Sequence, residues 1–475
     1  MHFDLTPEKR QKLLEQLLPR LEDYYANTRD HRVAPELDKE KLRQLVAETD
    51  LTDARQPGEA IDTVVDNLLQ YQVHVPHPMY YGLYNPRTNF PSILADLIAA
   101  YFNPQLAAWS HSPYAAEVER YLVREYGARF GYDREFVDGT FTSGGAEANL
   151  TGILCALNHA YPDYAHLGYR AFRREPVVYC SDQAHHSVVK AARVVGLGLN
   201  AVVVIPTDDG QRMSVDSLRD HLLADKVAGN RPLLVIATAG TTGTAAIDEL
   251  PAMADLCREY NCWFHVDAAF GGAAILNADY RAWLAGIELA DSITTDIHKW
   301  LSVPMGTGML LTRHPDILDK SFNTPAEYMP REGKGQSVVD PYTHTIQWSR
   351  RFLGLRMYLS LLVFGWKGYA DTIRHHVEIA NYLRERLTEH GWHLVNDTPL
   401  PVVCFTWPDA EEPGAFARAL CQRVVDSGEA WISVYPVRGV DVLRAGITNY
   451  ATTREDIDKL VGLLERVKEL SLSRG

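Results

Sequence analysis

Apolar positions change their spacing several times along the chain, and each change marks a different kind of structure. From residue 6 to about 70, Leu13, Leu14, Leu17, Leu18 and Leu21 recur at helical intervals, as do Leu42 and Leu45. This spacing predicts two or three helices, the first two separated by Arg32-Val-Ala-Pro35. The segment is too small to bury its own stripes and is expected to pack on a partner. Near residue 75 the pattern gives way to His74-Val-Pro-His-Pro-Met-Tyr-Tyr-Gly-Leu-Tyr-Asn-Pro86, read as an ordered loop. From about 138 to 315, short β-branched runs at 176–180, 201–205, 233–237, 263–266, 292–294 and 308–311 alternate with helical stretches such as 249–260. That alternation predicts an α/β unit with a largely parallel central sheet.

Residues 316–347 carry no periodicity but contain Pro325, Pro330, Gly333, Gly335 and Pro341. A connection of that length is expected to be either functional or mobile. Beyond it, helices at 351–366 and 367–390, strands near 401–406 and 441–447, and a helix from Thr453 predict a small α+β domain. The expected organisation is an N-terminal helical segment over 1–78, a large α/β domain over 79–350 with a loop at about 322–347, and the small domain over 351–475.

Composition changes this picture little. The chain is 46% hydrophobic and 23% charged, ordinary for a globular protein. A formal charge of -14 argues against a nucleic-acid partner, which favours a basic face. Cys155, Cys180, Cys257, Cys262, Cys404 and Cys421 form no CxxC pair and read as reduced thiols of a cytoplasmic protein. No signal peptide is visible at the N-terminus, and no apolar run reaches the ~20 residues of a membrane span. No metal-ligand spacing stands out.

The chemistry gathers at strand ends. Five polar or Gly-rich motifs directly follow expected strands: Thr142-Ser-Gly-Gly-Ala-Glu147, Ser181-Asp-Gln-Ala-His-His186, Thr238-Ala-Gly-Thr-Thr-Gly243, Asp267-Ala-Ala269 and His298-Lys299. In an open α/β sheet, ligands bind outside the carboxyl ends of the strands. The first motif opens an apolar helix, whose N-terminus suits a phosphate, although glycine pairs also make plain tight turns. Thr241 and Thr242 offer hydroxyls, or simply turn the chain. Asp267 ends a buried strand and needs a cationic or donor partner; an N-cap role is the alternative. His265 shares its strand face and either orients it or fills the core. His185 or His186 can stack on a flat ring or sit at a helix start. Lys299 can form a Schiff base with an aldehyde. Lysine for the aldehyde and aspartate for a pyridinium nitrogen are the two groups that pyridoxal 5'-phosphate (PLP) most needs.

The ordered series resembles the group II PLP-dependent amino-acid decarboxylases, a family that includes aromatic-amino-acid, histidine, glutamate, cysteine-sulfinate and diaminobutyrate decarboxylases. The resemblance runs through His77-Pro-Met-Tyr-Tyr81, Ser112-Pro-Tyr-Ala-Ala-Glu-Val-Glu119, Ser181-Asp-Gln-Ala-His185, His265-Val-Asp-Ala-Ala269, His298-Lys-Trp300, Arg350-Arg-Phe352 and Leu443-Arg444, with Asn449 and Asp456 downstream. It implies PLP fold type I, the aspartate aminotransferase-like architecture. It also implies a homodimer with shared active sites. By the same resemblance Lys299 carries the cofactor, Asp267 holds the ring nitrogen, and His185 and Ala269 flank the ring. Gly145, Ala146, Thr241 and His298 lie where the family holds the phosphate or ring edge; the family often has Ser where this chain has Ala146. Arg444 resembles the arginine that grips the substrate α-carboxylate.

Tyr342 is the best match to the family's loop tyrosine that returns a proton to Cα. Its spacing to Arg350 departs by one residue from the aromatic-amino-acid branch, and Tyr328 competes with it. A tyrosine there, with His185, implies amine rather than aldehyde as product. Tyr80, Tyr81 and Trp109 either line an aromatic substrate pocket or are ordinary packing, and Arg87 either meets an acidic side chain or is a solvated loop arginine. The expected function is decarboxylation of an L-amino acid, aromatic by preference. A decarboxylating aldehyde synthase, another PLP lyase or transaminase, and a non-catalytic scaffold are the alternatives.

Overall fold

Seven strands rich in Val, Ile and Leu form the central layer of the computed structural model, which describes residues 3–84, 86–324 and 338–472. They are β1 (Asp138–Thr142), β2 (Pro176–Ser181), β3 (Val202–Ile205), β4 (Arg231–Thr238), β5 (Trp263–Asp267), β6 (Ser292–Asp296) and β7 (Gly308–Thr312). The sheet order is β1-β7-β6-β5-β4-β2-β3. Pairings from β3 across to β6 are parallel, and β7 alone runs against its neighbours β6 and β1. Helices cover the faces, so β2, β5, β6 and β7 are buried along their whole length, as continuous apolar runs require. The edge strand β3 is the most open, and β1 and β4 are half-buried only at their starts.

The carboxyl ends of β1, β2, β4, β5 and β6 share one edge of the sheet, which brings the five polar motifs together. The helix Gly145–Ala160 starts there, directly after β1. Between β6 and β7 the chain makes a tight turn that carries His298 and Lys299. Ser302 closes it in the left-handed region (φ 55), its carbonyl accepting from both the backbone N (2.7 Å) and Nδ2 (2.9 Å) of Asn89.

The small domain has a four-stranded antiparallel sheet: β8 (His393–Leu394), β9 (Val402–Thr406), β10 (Ser433–Val437) and β11 (Val440–Gly446), in the order β10-β11-β9-β8. The two short strands β8 and β10 were outside the expected set. The two expected helices at 351–366 and 367–390 are one run, Gly354–Glu389, broken at Gly365 (φ 62), where a residue with a side chain would be strained. Met357 before the break, and Ile373 and Val377 after it, pack into the large core; the last turns enter the small core through Ile379, Ala380, Leu383 and Leu387. That small core also takes Val33, Met79, Tyr80 and Tyr81 from the other end of the chain.

The N-terminal segment is helical as expected, with Pro7–Ala26, Lys39–Ala47 and Pro57–Tyr71. Thr6 and Asp38 cap the first two by accepting backbone N–H bonds. The first and third helices are tied by Arg20 to Asp62 (2.7 Å) and Gln16 to Asp62 (2.6 Å). None of the three has a buried residue, so Leu18, Leu21, Val64 and Leu68 stay exposed on the single chain.

Candidate active site at the strand ends

A cavity of about 250 Å³ sits at the carboxyl edge of the sheet. It is lined by Tyr84, Gly144, Gly145, Ala146, Asn149, His185, Thr238, Thr242, Asp267, Ala269, Phe270, Asp296, His298 and Lys299, among others. Of the sequence-derived candidates, Gly145, Ala146, His185, Asp267, Ala269, His298 and Lys299 are therefore brought to one place.

Lys299 lies three residues beyond Asp296, and its Nζ is 3.0 Å from Asp296 Oδ2. Burial disfavours the ammonium, but the charges of Asp296 and Asp267 outweigh that, and the net result is a lysine held above its usual pKa. Asp267 ends β5, 5% exposed. Its Oδ2 accepts from Asn149 Nδ2 (2.8 Å) and its Oδ1 from the backbone N of Ala269 (3.1 Å). His185 follows β2, with Nδ1 2.8 Å from Ser187 Oγ and accepting from Ser187 N at 3.2 Å. Burial first, then the charge of Lys299, lowers its pKa, with Asp267 opposing. His298 is buried, its Nδ1 3.2 Å from the backbone N of Thr307, and burial lowers its pKa too.

Other candidates are placed elsewhere. Thr241 is fully buried, and its Oγ1 accepts from Ala246 N (3.0 Å) within its own turn; Thr242 faces the cavity instead. Tyr81 lies in the small core with its hydroxyl 3.4 Å from Met79 Sδ, and Tyr80 stacks on Trp431 at 5.2 Å. A short β-like pairing ties this strap to Trp431, including Tyr81 N to Trp431 O at 2.7 Å, and neither side chain lines the Lys299 cavity. Trp109 bonds Glu117 through Nε1 (2.9 Å) and lines a separate cleft with Tyr342. Tyr342 packs against Ala107, Ala108 and Trp348, and it does not line the Lys299 cavity of its own chain. Tyr328 and residues 325–337 of the expected loop lie outside the described residues. Arg87 donates to the carbonyl of Tyr25 and stacks on its ring at 4.1 Å.

Arg444 approaches the site from β11. It is 3% exposed; Nε donates to Gly243 O (2.9 Å) and Nη1 to Gly82 O, while Nη2 has no hydrogen-bond partner among the described residues. Tyr84 connects it to the cavity, its ring 4.9 Å from the Arg444 guanidinium and 5.8 Å from Lys299 Nζ. Tyr84, Asn149 and Asp296 were missed in the sequence. Asp296 had a visible signal, a carboxylate three residues before the lysine in the same motif. Asn149 is a polar residue in the first turns of an otherwise apolar helix, and Tyr84 stands three residues past a tyrosine pair that drew attention first.

These residues fit PLP. A buried carboxylate and a lysine face the same space. A helix N-terminus opens onto it, and a Cβ at Gly145 would come within 3.0 Å of Asp296 Oδ2, so glycine keeps the cradle open. Thr238 Oγ1, on the wall, is buried with no partner among the described residues. Among those residues, no group of three or more His, Cys, Asp or Glu side chains is arranged to hold a metal ion.

Comparison with known proteins agrees. The pyridoxal-dependent decarboxylase conserved domain matches residues 40–407. The aromatic-L-amino-acid decarboxylase of Bacillus atrophaeus is 29% identical over 99% of this chain and 98% of its own length. The L-aspartate decarboxylase dtxS4 of Metarhizium robertsii is 31% identical over 77% of this chain and 74% of its own. The crystal structure of mouse CSAD superposes with a TM-score of 0.91 at 25% identity, covering 98% of this chain and 99% of that one. The chain belongs to the pyridoxal-dependent decarboxylase family, as a PLP-dependent amino-acid decarboxylase of group II.

Proposed function

We propose that the chain converts an aromatic L-amino acid to its amine and CO2. The observation that carries the aromatic preference is the stacked pair Tyr84–Phe270 on the cavity wall, with ring centroids 4.0 Å apart. The aromatic-L-amino-acid decarboxylase relative supports it. The aspartate decarboxylase relative supports an acidic substrate equally by identity. An acidic side chain needs a second cation, however, and Arg87 is spent on Tyr25.

PLP, when bound, supplies a sink for the electrons released at the substrate Cα. Asp267 would hold its ring nitrogen, His185 and Ala269 would flank the ring, and Gly145, Ala146, Thr242 and His298 would hold the phosphate end. Lys299 would carry the aldehyde carbon, with Asp296 beside Nζ to take up or return its proton. The free Nη2 of Arg444 holds the substrate carboxylate, which fixes the bond that breaks. A tyrosine then returns a proton to Cα. Within one chain Tyr342 lies on Ala107 and Trp348 and away from the Lys299 cavity, so we assign it as the donor to the site of a second subunit, with Tyr328 as the alternative. Tyr342→Phe then suppresses amine formation and moves the product toward aldehyde and peroxide; full retention of amine in Tyr342→Phe, with its loss in Tyr328→Phe, moves the role to Tyr328.

We also propose a homodimer. The helix Phe90–Phe102 exposes Phe90, Leu94, Leu97, Ile98, Tyr101 and Phe102, a stripe suited to a second copy of the chain. The six free cysteines suit the cytoplasm. Incubation with a panel of L-amino acids, scoring CO2, amine and peroxide, tests the reading. Release of CO2 from aspartate but no aromatic acid would overturn the substrate assignment. Lys299→Ala should abolish turnover and the visible absorbance of the bound cofactor.

A further inference from the structure

A single line of buried hydrogen bonds leads from the protein core to both cofactor-facing groups, and Asn149 is its branch point. It starts at Trp263, whose Nε1 donates to Ser292 Oγ at 2.8 Å. An indole N–H can only donate. Ser292 therefore accepts there, and His265 Nδ1, 2.7 Å away, is the acceptor that remains for its own hydroxyl proton among the described residues. That fixes the histidine tautomer. His265 carries its proton on Nε2 and donates to Asn149 Oδ1 at 3.1 Å, with Thr294 Oγ1 as a second acceptor at 3.2 Å. Burial keeps this ring neutral.

With Oδ1 occupied, the amide of Asn149 must turn Nδ2 the other way. One N–H donates to Asp267 Oδ2 (2.8 Å) and the other to Ser187 Oγ (2.9 Å). Ser187 passes its hydroxyl proton to His185 Nδ1 (2.8 Å), which also accepts from Ser187 N. His185 is thereby the tautomer protonated on Nε2. A second argument reaches the same orientation from the opposite end. A flipped amide would set its oxygen 2.8 Å from the Asp267 carboxylate, which repels it. Asn149, Ser187, His265, Ser292 and Trp263 are all buried, so no solvent contact relieves a reversed chain.

We propose that Asn149 is a positioning residue: it imposes one hydrogen-bond polarity on Asp267 and His185 together, and Trp263 and Ser292 set that polarity from the core. The consequence is that Asp267 is kept an acceptor toward the cofactor ring, and His185 a neutral ring, by a line of residues of which Trp263, Ser292 and His265 lie outside the cavity lining. The inference rests on PLP occupying the Lys299 cavity, which the visible absorbance of the wild-type protein checks by itself.

The test compares Asn149→Ala and Trp263→Phe with the wild type. It measures PLP affinity of the apoprotein, the induced circular dichroism of the bound PLP band, and kcat and KM separately. Melting of each apoprotein reports folding. Losing the donor to Asp267 should weaken PLP binding about tenfold or more and alter the induced band. It should also lower kcat with KM little changed. Trp263→Phe, remote from the cavity, should alter the band in the same direction by less. The proposal is overturned if Asn149→Ala binds PLP within about twofold of wild type with an unaltered band. It is also overturned if Trp263→Phe, folded by its melting curve, leaves band and kcat untouched.

Discussion

Replacing Arg444 by lysine asks the most of the site. In the structure its guanidinium divides its donors. Nε serves Gly243 O at 2.9 Å, Nη1 serves Gly82 O, and buried Nη2, which has no partner among the described residues, is the group proposed to take the substrate carboxylate. A lysine has one compact ammonium and cannot reach two backbone carbonyls and a carboxylate at once. A hydrogen bond to a charged group contributes about 1.5–3 kcal/mol. At about 1.4 kcal/mol per tenfold, its loss lowers kcat/KM by roughly 10–150-fold. The product amine has no carboxylate, so its inhibition constant should stay near wild type. The carbonyl left without a donor should also cost stability, about 1–3 kcal/mol in urea unfolding. The assay is steady-state CO2 release against substrate concentration, with the amine as competing inhibitor. If substrate and amine weaken by the same factor, the carboxylate grip is refuted and Arg444 is only a strut between Gly82 and Gly243.

Three further outcomes are expected. Asp296→Asn removes the charge that holds the Lys299 ammonium, so the apoprotein should capture PLP faster at neutral pH; in the wild type the capture rate should keep climbing as pH rises past a free lysine's 10.5. Burial lowers the His265 pKa from 6.5 to about 4, so the unfolded chain binds more protons between those values; stability should rise with pH across that window, and acidifying through it should cost roughly 3 kcal/mol that a His265→Gln variant does not lose. Glu119 accepts from buried Arg350 and from Gly354 N at 2.9 Å, so Glu119→Ala strands a cation in the interior and should cost about 3–5 kcal/mol in urea unfolding, with an unchanged melting temperature counting against it.

The parts of this molecule that sequence reveals are those where local pattern and chemistry coincide. Strand ends carrying Asp267, His185 and Lys299 were legible because buried β-branched runs stop abruptly at polar residues. The break at Gly365 was legible as a boundary between two helices. Tyr80 and Tyr81 misled because composition does not say which way a strap faces; pairing with Trp431 settled that, over three hundred residues away in the chain. Thr241 and Thr242 are adjacent and chemically identical, and only the turn's own hydrogen bonds decide which one faces the cavity. Asn149 was invisible because its value lies in three partners, His265 and Asp267 on β5 and Ser187 after β2, that only the fold brings together.

The small core has a consequence for how the chain matures. It draws Val33, Met79, Tyr80 and Tyr81 from near the start and Ile379 through Val467 from the end. About 300 positions separate Tyr81 from Ile379. At ~5–20 residues per second of synthesis, the early strap waits about 15–60 s for its partners to emerge from the ribosome. Throughout that interval the N-terminal strap has no finished core to pack into. Nascent chains should therefore be most vulnerable to proteases and most dependent on chaperones before the last helix leaves the exit tunnel. Truncations near the C-terminus should be felt first at residues 79–81.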